Sequence, residues 1–221
     1  MGYAWVPVRA IVLPVKSLSD SKTRLSPVLS SLERGALTLA MLEDVMDATQ
    51  ALPGWETWVV SPDEVVLEVA LRRGARAIEE EKPALANAIK QVETEASARG
   101  ADALAVLLPD TPLVTSDVLT RALHTLGPVV LAPSLDETGT NLLVRRPPTA
   151  IPARFGSDSF RRHLEASALA DLPTAVVERP ELAFDLDLPD DILTVLEARR
   201  RGRTREVCLD MDLPSRIATG T

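Results

Sequence analysis

The sequence predicts an α/β fold: one Rossmann-like domain whose mixed, mostly parallel sheet is flanked by helices. Three observations carry this. Short apolar runs alternate with longer helical patterns over the first 130 residues, which implies right-handed crossovers and a parallel sheet. After Pro128 the rhythm changes and strand-like segments outnumber helices, so a mixed half follows. A chain of 221 residues with a 46% hydrophobic share suits one large domain, residues 1–221, better than two small ones. Aromatics make up only 3%, so its core must be built from Leu, Val, Ile and Ala.

Val8 to Val15 is a short, mostly apolar run, the mark of a strand buried on both faces. Ser30 then opens a helix, with Glu33 three residues on as its reciprocal cap. Its wide apolar face (Leu32, Leu39, Leu42, Val45, Met46) runs to about Leu52 and stops before Pro53-Gly54. Thr57 to Ser61 reads as a strand, Asp63 to Arg73 as a helix and Ala75 to Glu79 as a short strand. Pro83 suits the first turn of a helix reaching about Arg99. Ala103 to Leu108 is the clearest central strand, followed by a helix over Ser116 to Leu126. In the second half, Val129 to Ala132, Asn141 to Arg145 and Thr174 to Glu178 are strand-like. Helices are expected from about Ser157 to Ala170 and from Asp190 to Arg201. In the short tail, Val207 to Leu209 suggests an edge strand. No internal repeat or low-complexity linker interrupts the chain.

Composition excludes several classes. The net charge of −8 argues against non-specific grip on nucleic acid or an anionic membrane. The single cysteine, Cys208, allows no internal disulfide and favours the cytoplasm. The opening MGYAWVPVR has no long apolar run for a signal peptide, and Val6 stands where a myristoylation signal needs Ser or Thr. No stretch approaches the roughly 20 apolar residues of a membrane span. Oligomeric state is left open, a homodimer included.

Ligands of open α/β sheets bind outside the carboxyl ends of the strands, so the loop after the first strand matters most. It carries Lys16, Lys22 and Arg24 with Ser17, Ser19, Ser21 and Thr23 between them, and Asp20 as its single acid. Three cations in nine positions suit a polyphosphate. A basic loop elsewhere would be solvated surface; its place at the first strand turns the reading toward phosphate. It is neither a Walker loop nor GxGxxG. Ser61, ending the second strand, and Asn87, on the helix beginning near Pro83, are further candidates for contact with a nucleotide.

Asp110 follows the apolar run ALAVLLP, where a carboxylate either holds Mg²⁺ on nucleotide phosphates or caps a turn. In FDLDLPDD, Phe184 to Asp191, Asp185 and Asp187 have period two. An extended segment presents both to one side, within reach of one cation. Asp190 or Asp191 is better read as the cap of the last helix. TGTN, Thr138 to Asn141, and RFGSDSF, Arg154 to Phe160, hold glycines that admit close backbone approach and a helix start whose free N–H groups suit an anion. The plainer reading of such a cluster is a turn plus an N-cap. His124 and His163 look structural or superficial, Cys208 looks inert, and ARRRGR, Ala198 to Arg203, reads as the basic end of the last helix.

Together LPVKSLSDSKTRLSP, LAMLEDV, LPDTPL, GTN, RFGSDSFRRH and FDLDLPDDI resemble the 2-phospho-L-lactate guanylyltransferase family, whose bacterial members act on phosphoenolpyruvate. The resemblance runs from about Ile11 to Leu196. It implies a nucleotidyltransferase domain like that of the molybdenum-cofactor guanylyltransferases, and a role in coenzyme F420 biosynthesis. Its reaction joins GTP and a three-carbon phospho-acid and releases pyrophosphate. By motif match, Asp110 and Asp187 would bind Mg²⁺, and Lys16, Lys22 and Arg24 would serve GTP and catalysis. Thr140 or Asn141, Gly156 and Ser159 would hold the phospho-acid. The nucleotide half would then span about 8–127, the acceptor half about 128–203 and the tail 204–221. Thr111 departs from the aliphatic residue more usual there. The sugar-nucleotide and molybdopterin enzymes have a GG-containing first loop that is missing here, and a non-catalytic nucleotide-binding regulator would be expected to lack the acids or the cations.

Overall fold

The computed structural model describes residues 8–219, so the expectations placed on the first seven residues and the last two lie outside the described residues. Seven strands form one sheet in the order β3-β2-β1-β4-β6-β5-β7. β1 (Arg9–Pro14), β2 (Glu56–Ser61), β3 (Arg76–Glu79) and β4 (Ala103–Leu107) are mutually parallel where they pair. β6 (Thr140–Arg145) runs antiparallel to both β4 and β5 (Val129–Pro133), and β7 (Thr174–Val176) is parallel to β5. The expected parallel half and mixed half are both present. The register shifts between Ala132 and Pro133, opposite the start of β6, a bulge of the kind that re-aims side chains at sheet ends.

Helices cover both faces. α1 (Ser31–Gln50), α2 (Glu64–Arg72), α4 (Ser116–His124) and α6 (Pro180–Ala183) pack on one face around Leu13, Val45, Val66, Leu119 and Leu182. α3 (Leu85–Ala98) covers the β1–β2 region of the other face through Val92, and α5 (Ser159–Leu169) covers β5 and β6 through Ala166. α7 (Pro189–Glu197), α8 (Arg203–Asp210) and α9 (Leu213–Thr219) add a further layer behind α1 around Met41, Ile192, Cys208 and Leu213. α1 is thus buried on two sides, which explains why its apolar face is so wide.

α1 starts as expected: Ser30 accepts from the Glu33 amide, and the Glu33 carboxylate accepts from Ser30 N–H at 2.8 Å. Leu32 does not join the apolar face; it is 85% exposed in the first turn, and Leu37 and Met41 fill the inner position instead. Pro83 lies outside its helix because Ala84 adopts φ +116°, which holds the chain out of helical geometry until Leu85. Likewise Gly156 (φ +104°) and Asp158 (φ +52°) delay α5 to Ser159, two residues after the expected start.

The tail is helical. Val207 to Leu209 belongs to α8 and not to an edge strand, because a residue far away in sequence caps that helix. The buried Asp44 carboxylate, in mid-α1, accepts from the amides of Arg203 (2.8 Å) and Thr204 (2.9 Å). Gly202 is required there, since a Cβ would overlap that carboxylate. ARRRGR is therefore not a helix end: α7 stops at Glu197, and Arg200 turns back to donate to the Asp44 carbonyl at 2.7 Å.

Candidate active site

Three carboxylates meet beyond the carboxyl ends of β1 and β4. One oxygen from each of Asp110, Asp185 and Asp187 lies within 4.8 Å of the others. Asp110 sits in the turn after β4. The segment carrying the other two crosses it, with Leu186 N–H donating to the Asp110 carbonyl at 2.9 Å. Leu186 itself is fully buried against Leu25 and Ile192. Alternation then sends its two neighbours to the opposite side together, as their period of two predicts. Asp191, not Asp190, makes the capping contacts: its carboxylate accepts from the Asp187 and Leu188 amides at 2.8 and 2.6 Å.

Lys22 closes the cluster. Its ammonium donates to Asp187 Oδ1 at 2.7 Å and Asp110 Oδ2 at 2.9 Å, and its side chain is only 9% exposed. The residue adopts φ +47°, so the loop backbone bends specifically to deliver it. Burial pushes its pKa down, but Asp110 and Asp187 outweigh that and hold it above the ordinary value. Arg24 reaches the other oxygen of Asp187 at 3.3 Å from a largely exposed position. Asp185 is pushed up to about 6, first by burial and then by the charges of Asp110 and Asp187, with Lys22 and Asn141 opposing. Asp110 Oδ1 is buried with no hydrogen-bond partner. An all-carboxylate donor set with one oxygen left unsatisfied fits a hard divalent cation.

The remaining expected residues divide. Lys16 is exposed at the mouth of the loop. Ser61 is wholly buried and its hydroxyl accepts from Asp63 N–H at 3.1 Å, while Asn87 is exposed and donates back to the Pro83 carbonyl at 2.8 Å. Neither reaches the acidic cluster through a hydrogen bond. The Asn141 side-chain amide donates to the carbonyls of Leu182 (2.9 Å) and Ala183 (3.0 Å). It braces the backbone that leads into Asp185 and also hydrogen-bonds the Asp185 side chain, which places it against the acidic cluster. Thr140 is buried, and its hydroxyl meets His163 Nδ1 at 3.0 Å. Gly156 and Ser159 frame the start of α5, Ser159 N–H donating to the Gly156 carbonyl at 3.1 Å. Gly139 approaches protein, not open space: its amide donates to Ser134 Oγ at 2.7 Å, and a Cβ would stand 2.8 Å from that oxygen.

Asp63, which helps shape the site, escaped the sequence reading, whereas His163 is structural, as expected. Asp63 caps α2 through the Val65 amide and also accepts from Leu18 N–H at 3.0 Å, which pins the basic loop to α2. His163 is fully buried between Thr140 and the Arg154 backbone. Asp63 sits at a plain N-cap position, so its second contact, to the basic loop, left no local signal. Thr111 is absorbed without disturbance: it is buried, and its hydroxyl donates to the Leu108 carbonyl at 2.9 Å.

Cavities of about 490 and 330 Å³ lie at the opposite, amino-terminal ends of the strands, one beside Trp55, Glu56 and Arg76, the other beside Arg9, Asp102 and Arg146. Their cations have partners within the protein: Arg76 pairs with Glu95 beside the first, and beside the second Arg9 pairs with Asp102 at 3.1 Å while Arg146 donates to the Gly127 carbonyl at 2.9 Å. No helix among the described residues is long and apolar enough to cross a membrane.

A phosphoenolpyruvate guanylyltransferase of Rubrobacter xylanophilus is 39% identical over 82% of this chain and 90% of its own. A 3-phospho-D-glycerate guanylyltransferase of Phenylobacterium zucineum is 36% identical over 90% of this chain and 95% of its own. Among solved structures, a nucleotide-diphospho-sugar transferase of Desulfovibrio desulfuricans superposes with TM-score 0.76 at 18% identity, covering 96% of this chain and 97% of its own. A nucleotidyl transferase of Methanothermobacter follows at TM-score 0.63 and 18% identity, covering 86% and 95%. These two share the fold. The family described as guanylyl transferase CofC like matches residues 9–211, and the chain belongs to that family.

Proposed function

We propose that this chain transfers GMP from GTP to a small three-carbon phospho-acid, phosphoenolpyruvate or 2-phospho-L-lactate, with release of pyrophosphate, in the cytoplasm and in coenzyme F420 biosynthesis. The observation that carries the reading is the Asp110–Asp185–Asp187 cluster closed by Lys22 at the strand ends of a CofC-like chain.

Asp110 and Asp187, with Asp185 beside them, would hold Mg²⁺, which supplies charge neutralisation for the triphosphate and its leaving pyrophosphate. Lys22 and Arg24 stand next to those carboxylates, where each can pass a cationic donor to a phosphate oxygen. Lys16, exposed ahead of them, extends the positive loop outward. Ser61 and Asn87 remain candidates for the nucleoside end. Thr140 or Asn141, Gly156 and Ser159 would hold the acceptor, whose phosphate is already ionised at neutral pH. Attack on the α-phosphorus therefore needs no general base, and catalysis reduces to positioning and charge stabilisation. The residues agree with that demand: Cys208 is a buried thiol pushed up to about 12 by its burial, and His163 is engaged in structure.

The test is pyrophosphate release from each nucleoside triphosphate with Mg²⁺ and a panel of three-carbon phospho-acids and sugar phosphates. The expected result is release with GTP and phosphoenolpyruvate or 2-phospho-L-lactate. Preference for 3-phosphoglycerate would move the acceptor within the class, as in the Phenylobacterium relative. No release with GTP and any three-carbon phospho-acid overturns the reading.

A further inference from the structure

We propose that His163 is a positioning residue that makes the Thr140 hydroxyl an obligate hydrogen-bond donor toward an ionised oxygen of the acceptor. The inference rests on the reading of Thr140 as an acceptor contact given above.

The hydrogen-bond pattern fixes the tautomer. His163 Nε2 lies 2.8 Å from the backbone nitrogen of Arg154, whose N–H can only donate. Nε2 must therefore offer its lone pair. A neutral imidazole carries one proton, so it resides on Nδ1. Nδ1 lies 3.0 Å from Thr140 Oγ1 and donates to it. The opposite tautomer, or an imidazolium, would set two donors face to face at Nε2. The ring has no solvent exposure and stacks edge-on against Phe155 at 5.2 Å. Burial, then the cations Arg145, Arg162 and Arg154 around it, keep its pKa near 4, so the neutral form holds at physiological pH.

The consequence falls on Thr140. A threonine hydroxyl has one proton and two lone pairs. One lone pair receives Nδ1–H, so the hydroxyl proton must point elsewhere. Among the described residues the hydroxyl has no second hydrogen-bond partner. Thr140 is the first residue of β6, next to Asn141, whose side chain bonds the Ala183 carbonyl and the Asp185 side chain. The same ring also holds the Arg154–Phe155 backbone, immediately ahead of Gly156 and Ser159. One side chain thus joins both segments of the acceptor pocket. It leaves there an O–H with no protein acceptor. Carboxylate and phosphate oxygens at neutral pH can only accept, so they are the chemical class this hydroxyl suits.

The direct test reads the tautomer in the ligand-free protein: long-range ¹⁵N–¹H correlation of the His163 ring at pH 7.5. A proton on Nδ1 is expected; a proton on Nε2, or on both nitrogens, overturns the proposal. The second test is a kinetic cycle of Thr140→Val, His163→Phe and the double variant. Each single variant should raise KM for the phospho-acid by roughly 10–100-fold and leave KM for GTP within about 3-fold, with the double no worse than Thr140→Val alone. Additive losses, or equal rises in both KM values, would mark His163 as merely structural and sink the inference. An unchanged acceptor KM in Thr140→Val would instead remove Thr140 from the acceptor site. Should His163→Phe fail to fold, the tautomer measurement on the unaltered protein still decides.

Discussion

Lys22 Nζ lies 2.7 Å from Asp187 Oδ1, although the two residues stand 165 positions apart in sequence. The same ammonium reaches Asp110 at 2.9 Å, so one buried cation occupies the place between the two carboxylates assigned to metal. A positive charge there lowers the mutual repulsion of the acids. It also competes with any second cation for the same oxygens.

Two opposed effects follow for Lys22→Met. Mn²⁺ affinity of the nucleotide-free protein, followed by electron paramagnetic resonance, should rise by about tenfold because the competing ammonium is gone. Over the same substitution kcat/KM for GTP should fall by about 100-fold or more, since a phosphate partner is lost. Parallel loss of both would show that Lys22 only scaffolds the carboxylates.

Asp110→Asn and Asp187→Asn should each reduce turnover by roughly 10³-fold, in the range seen when a single electrostatic contact to the transition state is removed. Circular dichroism should stay unchanged, because both side chains are partly solvent-exposed and lie outside the apolar clusters. Near-normal turnover in either variant would remove that residue from the metal site.

Acid stability should show two separate windows. His163 is held near 4 against an ordinary 6.5, so the unfolded chain takes up its proton first on acidification. Stability from this group is complete above about pH 6.5 and is lost as pH falls toward 4, by about 3 kcal/mol in total. Glu33 and Asp136, both held near 2 by hydrogen bonds to Ser30 and Ser134 respectively, add their losses only below about pH 4.5. Urea unfolding of the unaltered protein and His163→Phe at pH 7.5 and 5 checks this. The variant should lack most of the upper-window loss.

Gly202→Ala should destabilise the fold by about 2–4 kcal/mol, because its Cβ displaces the Asp44 carboxylate and strands the Arg203 and Thr204 amides. Asp44→Ala should cost a similar amount, and the two losses should not add. Additive losses in denaturant titrations would contradict a shared origin in the α8 cap.

These relationships divide along a physical line. What depends on near neighbours could be read from sequence: the Ser30–Glu33 capping box, the apolar run of β4 and the same-side placement of Asp185 and Asp187. What depends on distant partners could not. α8 looked like a strand because its cap comes from Asp44, about 160 positions earlier, in the middle of another helix. The bracing role of Asn141 was equally out of reach, because the carbonyls of Leu182 and Ala183 that accept from it arrive from another segment. Pro83 misled for a different reason: the positive φ of Ala84 leaves no trace in composition. At the site the residue types were legible, while the pairing of Lys22 with Asp110 and Asp187 and the tautomer of His163 required the fold.

The central claim, attack of the acceptor phosphate on the α-phosphorus of GTP, is tested most directly by isotope transfer. The protein is incubated with GTP, Mg²⁺ and phosphoenolpyruvate bearing ¹⁸O in all its phosphate oxygens, and the products are separated by mass spectrometry. The account predicts every label in a diphosphate-linked guanosine product and none in the released pyrophosphate. Label in pyrophosphate or in free phosphate, or the absence of a guanosine-linked product, would contradict it.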